Sequence, residues 1–187
     1  MTRPSILVIG SLNTDMVLKM ERIPQPGETV LGGEFSIVPG GKGANQAVGA
    51  ARAGGEVRFL ARVGRDVLGQ AAVANCAEAG VDTAHIVWDV KTPTGVALIF
   101  VDGNGENSIG VASGANAALS VGDLGEIKTI LGRTKVMLLQ LETPLDTVMG
   151  AAEMAAQAGV PIILNPAPAR LLPTRLHEKR CTLCWSG

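Results

Sequence analysis

Short apolar runs alternate with alanine-rich segments along most of this chain, and that order limits the fold more than any other feature. The apolar runs cover residues 6–9, 57–61, 136–141 and 162–164. The alanine-rich segments cover residues 44–53, 70–79 and 145–158. Strands that are buried on both faces lose the alternation of polar and apolar side chains, so these runs predict a mostly parallel sheet with helices on each side. We therefore expect an α/β protein of the doubly wound kind.

Two other regions have the alternating pattern of strands with one covered face. Residues 16–38 alternate around the turn Pro24-Gln25-Pro26-Gly27, and residues 94–111 alternate before and after the turn Asp102-Gly103-Asn104-Gly105. This pattern predicts a small antiparallel sheet set apart from the main one. Such a sheet either covers a ligand cleft as a lid or is a plain surface addition, and the pattern favours neither.

The composition excludes several classes of partner. Sixteen basic residues are balanced by seventeen acidic ones, no run of Lys or Arg is present, and aromatic residues make up 3%, so we expect no nucleic-acid binding. The apolar run at residues 6–9 is far too short to span a membrane, so no membrane partner is expected. Three cysteines do not form a disulfide framework. This use of cysteine predicts a reducing compartment, the cytoplasm.

A glycine-rich turn, Gly40-Gly41-Lys42-Gly43, leads directly into the first alanine-rich segment. Glycine lets a backbone approach a ligand closely, and the free N–H groups at a helix start favour polar or anionic ligands. The turn is not a Walker A loop, because Gly43 stands where Ser or Thr must follow the lysine. The loop after the first strand also lacks the G-x-G-x-x-G pattern of dinucleotide sites. We expect a ligand at this helix start, in a loop that is neither a Walker A loop nor a dinucleotide-binding loop.

Polar side chains follow two of the predicted strands. Asn13 and Asp15 come after the first strand, and Glu142 closes the third. The carboxyl ends of parallel strands form the ligand-binding edge of a sheet, and an amide with a carboxylate suits the hydroxyl groups of a sugar. Asn and Asp are equally ordinary turn residues, and Glu142 equally suits the start of the helix that follows it.

Several sequence motifs together resemble one family. Gly40-Gly41-Lys42-Gly43-Ala44-Asn45-Gln46-Ala47 is similar to the first signature of the ribokinase-type carbohydrate kinases. Further stretches resemble this family in the same order, at residues 10–15, 26–29, 94–99, 105–107, 114–119 and 165–169. Many pieces in one order are more specific than a single glycine loop. The resemblance assigns residues 1–170 to the N-terminal part of the family's α/β domain, with the C-terminal part missing and with residues 16–38 and 94–111 as lid strands.

The resemblance implies a sugar site for D-ribose. Asn13 and Asp15 would hydrogen-bond the sugar hydroxyls, and Glu142 would reach the sugar from the opposite strand end. The full set of substrate-binding residues that the resemblance implies is Asn13, Thr14, Asp15, Gly41, Lys42, Gly43, Ala44, Asn45 and Glu142. The resemblance also implies that the small sheet is a lid over the sugar and that two lids can pair into a homodimer.

The activity implied by the resemblance is phosphoryl transfer from ATP to a sugar hydroxyl, with Mg²⁺ as cofactor and a monovalent cation such as K⁺ as an activator. This chemistry depends on positioning and on stabilising the charge of the transferred group. The family's catalytic base lies in a second signature, Gly-Ala-Gly-Asp, which does not occur in these 187 residues. The chain therefore carries no candidate catalytic or metal-binding residue from the family. We expect sugar binding from it, either as part of a ribose kinase or as a non-catalytic or dimerising product.

Residues 171–187 depart from the family pattern and read as a divergent tail. They contain Cys181-Thr182-Leu183-Cys184, a C-x-x-C motif that raises a metal or redox role. Tetrahedral zinc needs about four ligands, and only His177 and Glu178 lie close in sequence. We favour a tail without either role. An uncovered sheet edge at this end also predicts a fragment of low stability.

Overall fold

The computed structural model describes residues 4–173 and 181–183. The strands are β1 (Ser5–Ile9), β2 (Asn13–Lys19), β3 (Glu34–Gly40), β4 (Glu56–Leu60), β5 (Arg62–Gly64), β6 (Val87–Asp89), β7 (Gly95–Val101), β8 (Asn107–Ala112), β9 (Val136–Leu139), β10 (Ile162–Leu164) and β11 (Cys181–Leu183). The helices are α1 (Lys42–Arg52), α2 (Val67–Glu78), α3 (Lys128–Leu131) and α4 (Leu145–Gln157), with 3₁₀ helices at Gly114–Ala118 and Val121–Ile127.

The main sheet is parallel throughout, with the strand order β11-β10-β9-β1-β4. Each apolar run of the sequence forms one of its strands, and each alanine-rich segment forms a helix, with ends that differ by a few residues. The predicted doubly wound α/β class is confirmed. The sheet order puts β1 between β9 and β4, so the ends of β1 and β9 are neighbours.

Helices cover both faces of this sheet. Leu7 and Ile9 of β1 point to one face and pack with the buried face of α4, which includes Ala151 and Ala155. Val8, the residue between them, points to the other face and packs with α1 and α2. Because both faces of β1 are buried, its sequence has no polar positions at every second residue.

The small sheet has the order β3-β2-β7-β8. The outer pairs, β2 with β3 and β7 with β8, are antiparallel, but the central pair of β2 and β7 is parallel. The expectation of an antiparallel sheet is therefore wrong for this central pair, and the sheet is mixed. Both strands start beside the main sheet, with Asn13 opposite Gly95, and run away from it. An alternating pattern shows which face of a strand is covered but not the direction of its neighbour.

Two short features lie outside the predicted elements. Strands β5 and β6 form a separate parallel pair. Strand β11 lies within residues 171–187 and pairs with β10, placing Cys181 opposite Ile162. Residues 174–180 and 184–187 lie outside the described residues, and so does the second cysteine of the C-x-x-C motif.

Candidate functional site

The candidate site lies where β1 and β9 end and where the small sheet begins. A cavity of about 560 Å³ opens there, next to a smaller one of about 150 Å³ that shares several of its walls. Both are lined by Asn13 at the start of β2, Lys42 at the start of α1 and Glu142 after β9, and by Ile109 and Val111 from β8. The smaller cavity adds Asp15, Gly41 and Asn45. The site is thus polar around the start of β2, the start of α1 and the end of β9, and apolar at β8.

The glycine turn packs directly on the loop after β1. Gly41 has a φ of 90°, and a Cβ there would lie 2.8 Å from the backbone nitrogen of Asn13 and 2.9 Å from the Cα of Leu12. Gly43 is equally close to Ser11, whose carbonyl accepts a hydrogen bond from the N–H of Ala44 at 2.9 Å. Glycine is required because the two backbones touch. This contact sets the start of α1 beside the cavity.

Glu142 reaches across the site to the first turn of α1. Its Oε2 accepts hydrogen bonds from the Ser11 hydroxyl at 2.5 Å and from the backbone N–H of Lys42 at 2.9 Å. Its Oε1 lies 3.1 Å from Nζ of Lys42. The hydrogen bonds of Glu142 go to α1 and the β1 loop, and α4 has no side-chain cap, so a role of the Glu142 charge beside the start of α4 stays a prediction. Glu142 joins three parts of the site: the β1 loop, the glycine turn and the end of β9.

Asp15 is the second carboxylate of the site. Burial, and then the negative charge of Glu142, raise the pKa of the Asp15 carboxyl above its ordinary value, while Lys42 acts in the opposite direction. A Cβ on Gly40 would overlap this carboxylate, so the glycine makes room for it. Asp15 is thus a hydrogen-bond acceptor held in partly desolvated surroundings.

Asn13 is held by a residue from a distant segment. Its Oδ1 accepts a hydrogen bond from Nδ2 of Asn116 at 2.7 Å, and both side chains are buried. Asn116 lies in the 3₁₀ helix at Gly114–Ala118 and also bonds the backbone of Leu12. In the sequence this stretch contributes to the family resemblance, but nothing there predicts a role for Asn116. The sequence around Asn116 and Ser11 does not indicate a role in the site. Each is identified by a contact in the structure, Asn116 with Asn13 and Ser11 with Glu142.

Of the nine predicted site residues, six line the smaller cavity together: Asn13, Asp15, Gly41, Lys42, Asn45 and Glu142. The other three point elsewhere. Thr14 faces the opposite side of the small sheet, where it lines a separate pocket with α2 residues such as Leu68. Gly43 and Ala44 are buried where α1 packs on the β1 loop. Their contribution to the site is to hold the backbone, and a direct ligand contact from them stays a prediction.

The described part of the chain contains no group of three or more His, Cys, Asp or Glu residues that could hold a metal ion. Among the residues with a described position, Asp15 and Glu142 are the two carboxylates that line the smaller cavity, and Lys42 pairs with Glu142. These residues do not fit a metal site. None of the helices within the described ranges is both long and apolar enough to cross a lipid bilayer.

Comparison with known proteins agrees with this architecture. Residues 3–181 match the model of the pfkB family of carbohydrate kinases, and this chain belongs to that family. The ribokinase of Haemophilus influenzae is 42% identical over 174 residues, which are 93% of this chain and 57% of that protein. The deoxyribokinase of Salmonella typhi is 40% identical over 164 residues, 88% of this chain and 54% of that protein.

Among solved structures, Arabidopsis thaliana ribokinase complexed with ribose and ATP superposes with a TM-score of 0.88 and 30% sequence identity. That match covers 99% of this chain and 60% of the Arabidopsis chain. The present chain therefore spans a little over half the length of the curated relatives it matches. It shares the ribokinase-type fold over that span.

Proposed function

We propose that these residues form the sugar-binding part of a pentose kinase that acts on D-ribose. The observation that carries the proposal is the convergence of six predicted residues on one cavity, from three separate parts of the chain. Asp15 and Glu142 supply acceptors, and Lys42 supplies an ammonium donor. A polyol with several adjacent hydroxyls matches such a mixed set of donors and acceptors.

The proposed reaction is the transfer of a phosphoryl group from ATP to a hydroxyl of ribose, giving ribose 5-phosphate. Mg²⁺ neutralises charge on the phosphates in such reactions. We assign ATP, Mg²⁺ and a monovalent cation such as K⁺ to the complete kinase rather than to the sugar cavity. These 187 residues contain no Gly-Ala-Gly-Asp sequence, so we expect them to bind sugar without turning over ATP.

The choice between ribose and deoxyribose rests on one hydroxyl. The Haemophilus ribokinase and the Salmonella deoxyribokinase differ in this respect, and they match the chain almost equally well. A buried polar group that loses its partner weakens binding, so a site built for the 2-hydroxyl would discriminate against the deoxy sugar. We propose ribose because the Asp15 carboxylate accepts no hydrogen bond from the residues that the structure describes, so a further sugar hydroxyl can donate to it, whereas Glu142 is already bonded to Ser11 and Lys42.

The small sheet, which we propose is a lid over the sugar, also supports a proposed homodimer. Phe35, Ile37 and Leu98 lie on the face of the lid that points away from the cavity, and 62%, 54% and 50% of their surfaces are exposed. A second copy in the cytoplasm would cover this apolar face. Sedimentation velocity should show a dimer that Leu98→Ser weakens. Val90→Ser, at an apolar side chain with 74% exposure outside the lid, is the control.

Isothermal titration with D-ribose and 2-deoxy-D-ribose, together with an ATP-consumption assay, tests the proposed function. We expect ribose to bind more tightly than the deoxy sugar, with no ATP consumption. Asn45→Ala, at the cavity, should weaken ribose binding about tenfold. Asn75→Ala, in α2 and away from the cavity, is the matched control and should leave affinity unchanged. Failure of the wild type to bind either pentose would refute the sugar site.

A further inference from the structure

We propose that Asn116 is a positioning residue that fixes the side-chain amide of Asn13, so that the NH₂ group of Asn13 faces the cavity. This inference rests on the proposed sugar site for its functional meaning. It assigns a role to Asn116, and it specifies that the NH₂ group of Asn13, rather than its carbonyl oxygen, contacts the ligand.

The backbone of Leu12 fixes the orientation of Asn116. The N–H of Leu12 donates to Oδ1 of Asn116 at 2.9 Å, and the carbonyl of Leu12 accepts from Nδ2 of Asn116 at 3.1 Å. A backbone N–H can only donate and a carbonyl can only accept. Reversing the Asn116 amide would therefore break both bonds, so its oxygen and nitrogen have defined positions.

Asn116 in turn fixes the orientation of Asn13. The Nδ2 group of Asn116 has two hydrogens, one for the carbonyl of Leu12 and one for Oδ1 of Asn13 at 2.7 Å. If the Asn13 amide were reversed, two NH₂ groups would face each other. Asn13 is 5% exposed and Asn116 is 2% exposed, so water could not relieve that arrangement.

The surrounding backbone is shaped for this pair. A Cβ on Gly95 would overlap both Oδ1 of Asn13 and Nδ2 of Asn116. Only glycine leaves room for the hydrogen bond at this position. The N–H of Ala115 also donates to the carbonyl of Pro93 at 2.8 Å, which anchors the segment before Gly95. The two asparagines are thus held from both strands of the parallel pair and from the 3₁₀ helix.

The consequence is a defined pattern of donors and acceptors around the cavity. Asn13 presents Nδ2 as a donor, and Asp15 presents a carboxylate as an acceptor. Since these two residues are two apart on the same face of β2, neighbouring hydroxyls of one sugar can contact both. The hydroxyl at Asn13 is bound through its oxygen, and the hydroxyl at Asp15 through its hydrogen.

A double-mutant cycle on the full chain tests this role. Asn116→Ala should weaken D-ribose binding about tenfold, because Asn13 then turns freely. In an Asn13→Ala background the same change should leave affinity within about twofold. An equal loss in both backgrounds would overturn the proposal, because Asn116 would then act without Asn13. Thr147→Val, which removes another buried hydrogen bond to this region, should lower the melting temperature but not the affinity.

A second measurement needs no ligand. In ¹⁵N-asparagine-labelled protein, the side-chain NH₂ hydrogens of Asn116 should exchange slowly with solvent and those of Asn13 rapidly. Slow exchange at Asn13 with rapid exchange at Asn116 would overturn the proposed orientation. If the exchange pattern is as expected but no pentose binds, the orientation stands and the sugar site falls. If ribose binds but the pattern is reversed, the sugar site stands and the role of Asn116 falls.

Discussion

Glu142 and Lys42 are joined twice, by a hydrogen bond from the Lys42 backbone at 2.9 Å and by an ion pair with its Nζ at 3.1 Å. These residues are 100 positions apart in the sequence. The pairing ties the end of β9 to the start of α1 across the cavity. The ion pair also fixes the position of the Lys42 ammonium group. Both the shape and the charge of the site therefore depend on the contact between Glu142 and Lys42.

Glu142→Gln should lower both stability and sugar affinity. An amide keeps the size of the side chain but removes the negative charge of the ion pair, and it offers only one acceptor oxygen to three donors, the Ser11 hydroxyl and the N–H and Nζ of Lys42. We expect a loss of about 1–3 kcal/mol in the free energy of unfolding and a weaker affinity for ribose. Urea unfolding and titration calorimetry measure these two effects. Glu78→Gln, at an exposed position at the end of α2, is the matched control and should change neither.

Gly41→Ala separates backbone conformation from packing at the glycine turn. Gly41 and Gly54 have similar φ values, 90° and 94°, but a Cβ would lie within 3 Å of backbone atoms only at Gly41 of these two. Alanine at Gly54 should cost about 1–2 kcal/mol from conformation alone. Alanine at Gly41 should cost about 2–5 kcal/mol because steric overlap is added. Equal losses in urea unfolding would show that the turn does not pack on Leu12 and Asn13.

Asp15 should make stability depend on pH in a defined direction. Its pKa is raised above 3.8 in the folded protein, chiefly by burial, so the folded state binds the proton more tightly than the unfolded state. Relative to Asp15→Asn, the wild type should lose stability as the pH rises from about 3.8 through the raised pKa, and the difference should then be constant. Urea unfolding of both proteins across this range measures it. A difference of the opposite sign would mean that Asp15 has a stabilising partner.

The affinity for ribose should also depend on the protonation of Asp15. An ionised Asp15 accepts hydrogen bonds with both oxygens, whereas a protonated one loses part of that capacity. Because the pKa of Asp15 is raised, affinity should begin to fall at a higher pH than for an ordinary aspartate. Titrations of the wild type at decreasing pH should show this fall, and Asp15→Asn should bind weakly without it. A parallel fall in both proteins would assign the effect to another group.

The sequence was sufficient to predict the main sheet because each central strand is an apolar run with helices on both sides. The helix starts were less accurate. Helix α2 begins at Val67 instead of near residue 70, because Asp66 accepts a hydrogen bond from the N–H of Gly69 at 2.8 Å and caps the helix there. Helix α1 begins at Lys42 because Gly41, with its positive φ, ends the preceding strand. Both signals were present in the sequence as Asp-x-x-Gly and as the glycine turn.

The residues of the candidate site were likewise only partly predictable from the sequence. Residues that end a strand or start a helix, such as Asp15, Asn45 and Glu142, could be proposed from their positions and from the family resemblance. Asn116 could not, because it contacts Asn13 across 103 positions and its neighbours in sequence are small and apolar. The parallel pairing of β2 and β7 was hidden for the same reason: it depends on where both strands leave the main sheet.

The ion-pair network around Arg62 gives a prediction about stability that does not involve the candidate site. Nε of Arg62 donates to Asp89 at 2.8 Å, and Nη1 donates to Asp123 at 3.1 Å, so one guanidinium joins β5, β6 and the second 3₁₀ helix. The hydrogen bond from Arg62, with backbone N–H groups of the following turn, holds the pKa of Asp89 well below its ordinary value. A lowered carboxyl pKa contributes stability above its unfolded value of about 3.8, and that stability is lost as the pH falls.

Arg62→Met keeps the length and apolar stem of the side chain but removes these donors. We expect a melting temperature several degrees lower at pH 7, with the difference from the wild type shrinking as the pH falls below the ordinary range of Asp. Arg65→Met, at an exposed arginine three positions along the chain, is the control and should have little effect. Ribose affinity should be unchanged in both variants, since neither arginine lines the cavity. A fall in affinity for Arg62→Met alone would mean that the network also holds the sugar site in place.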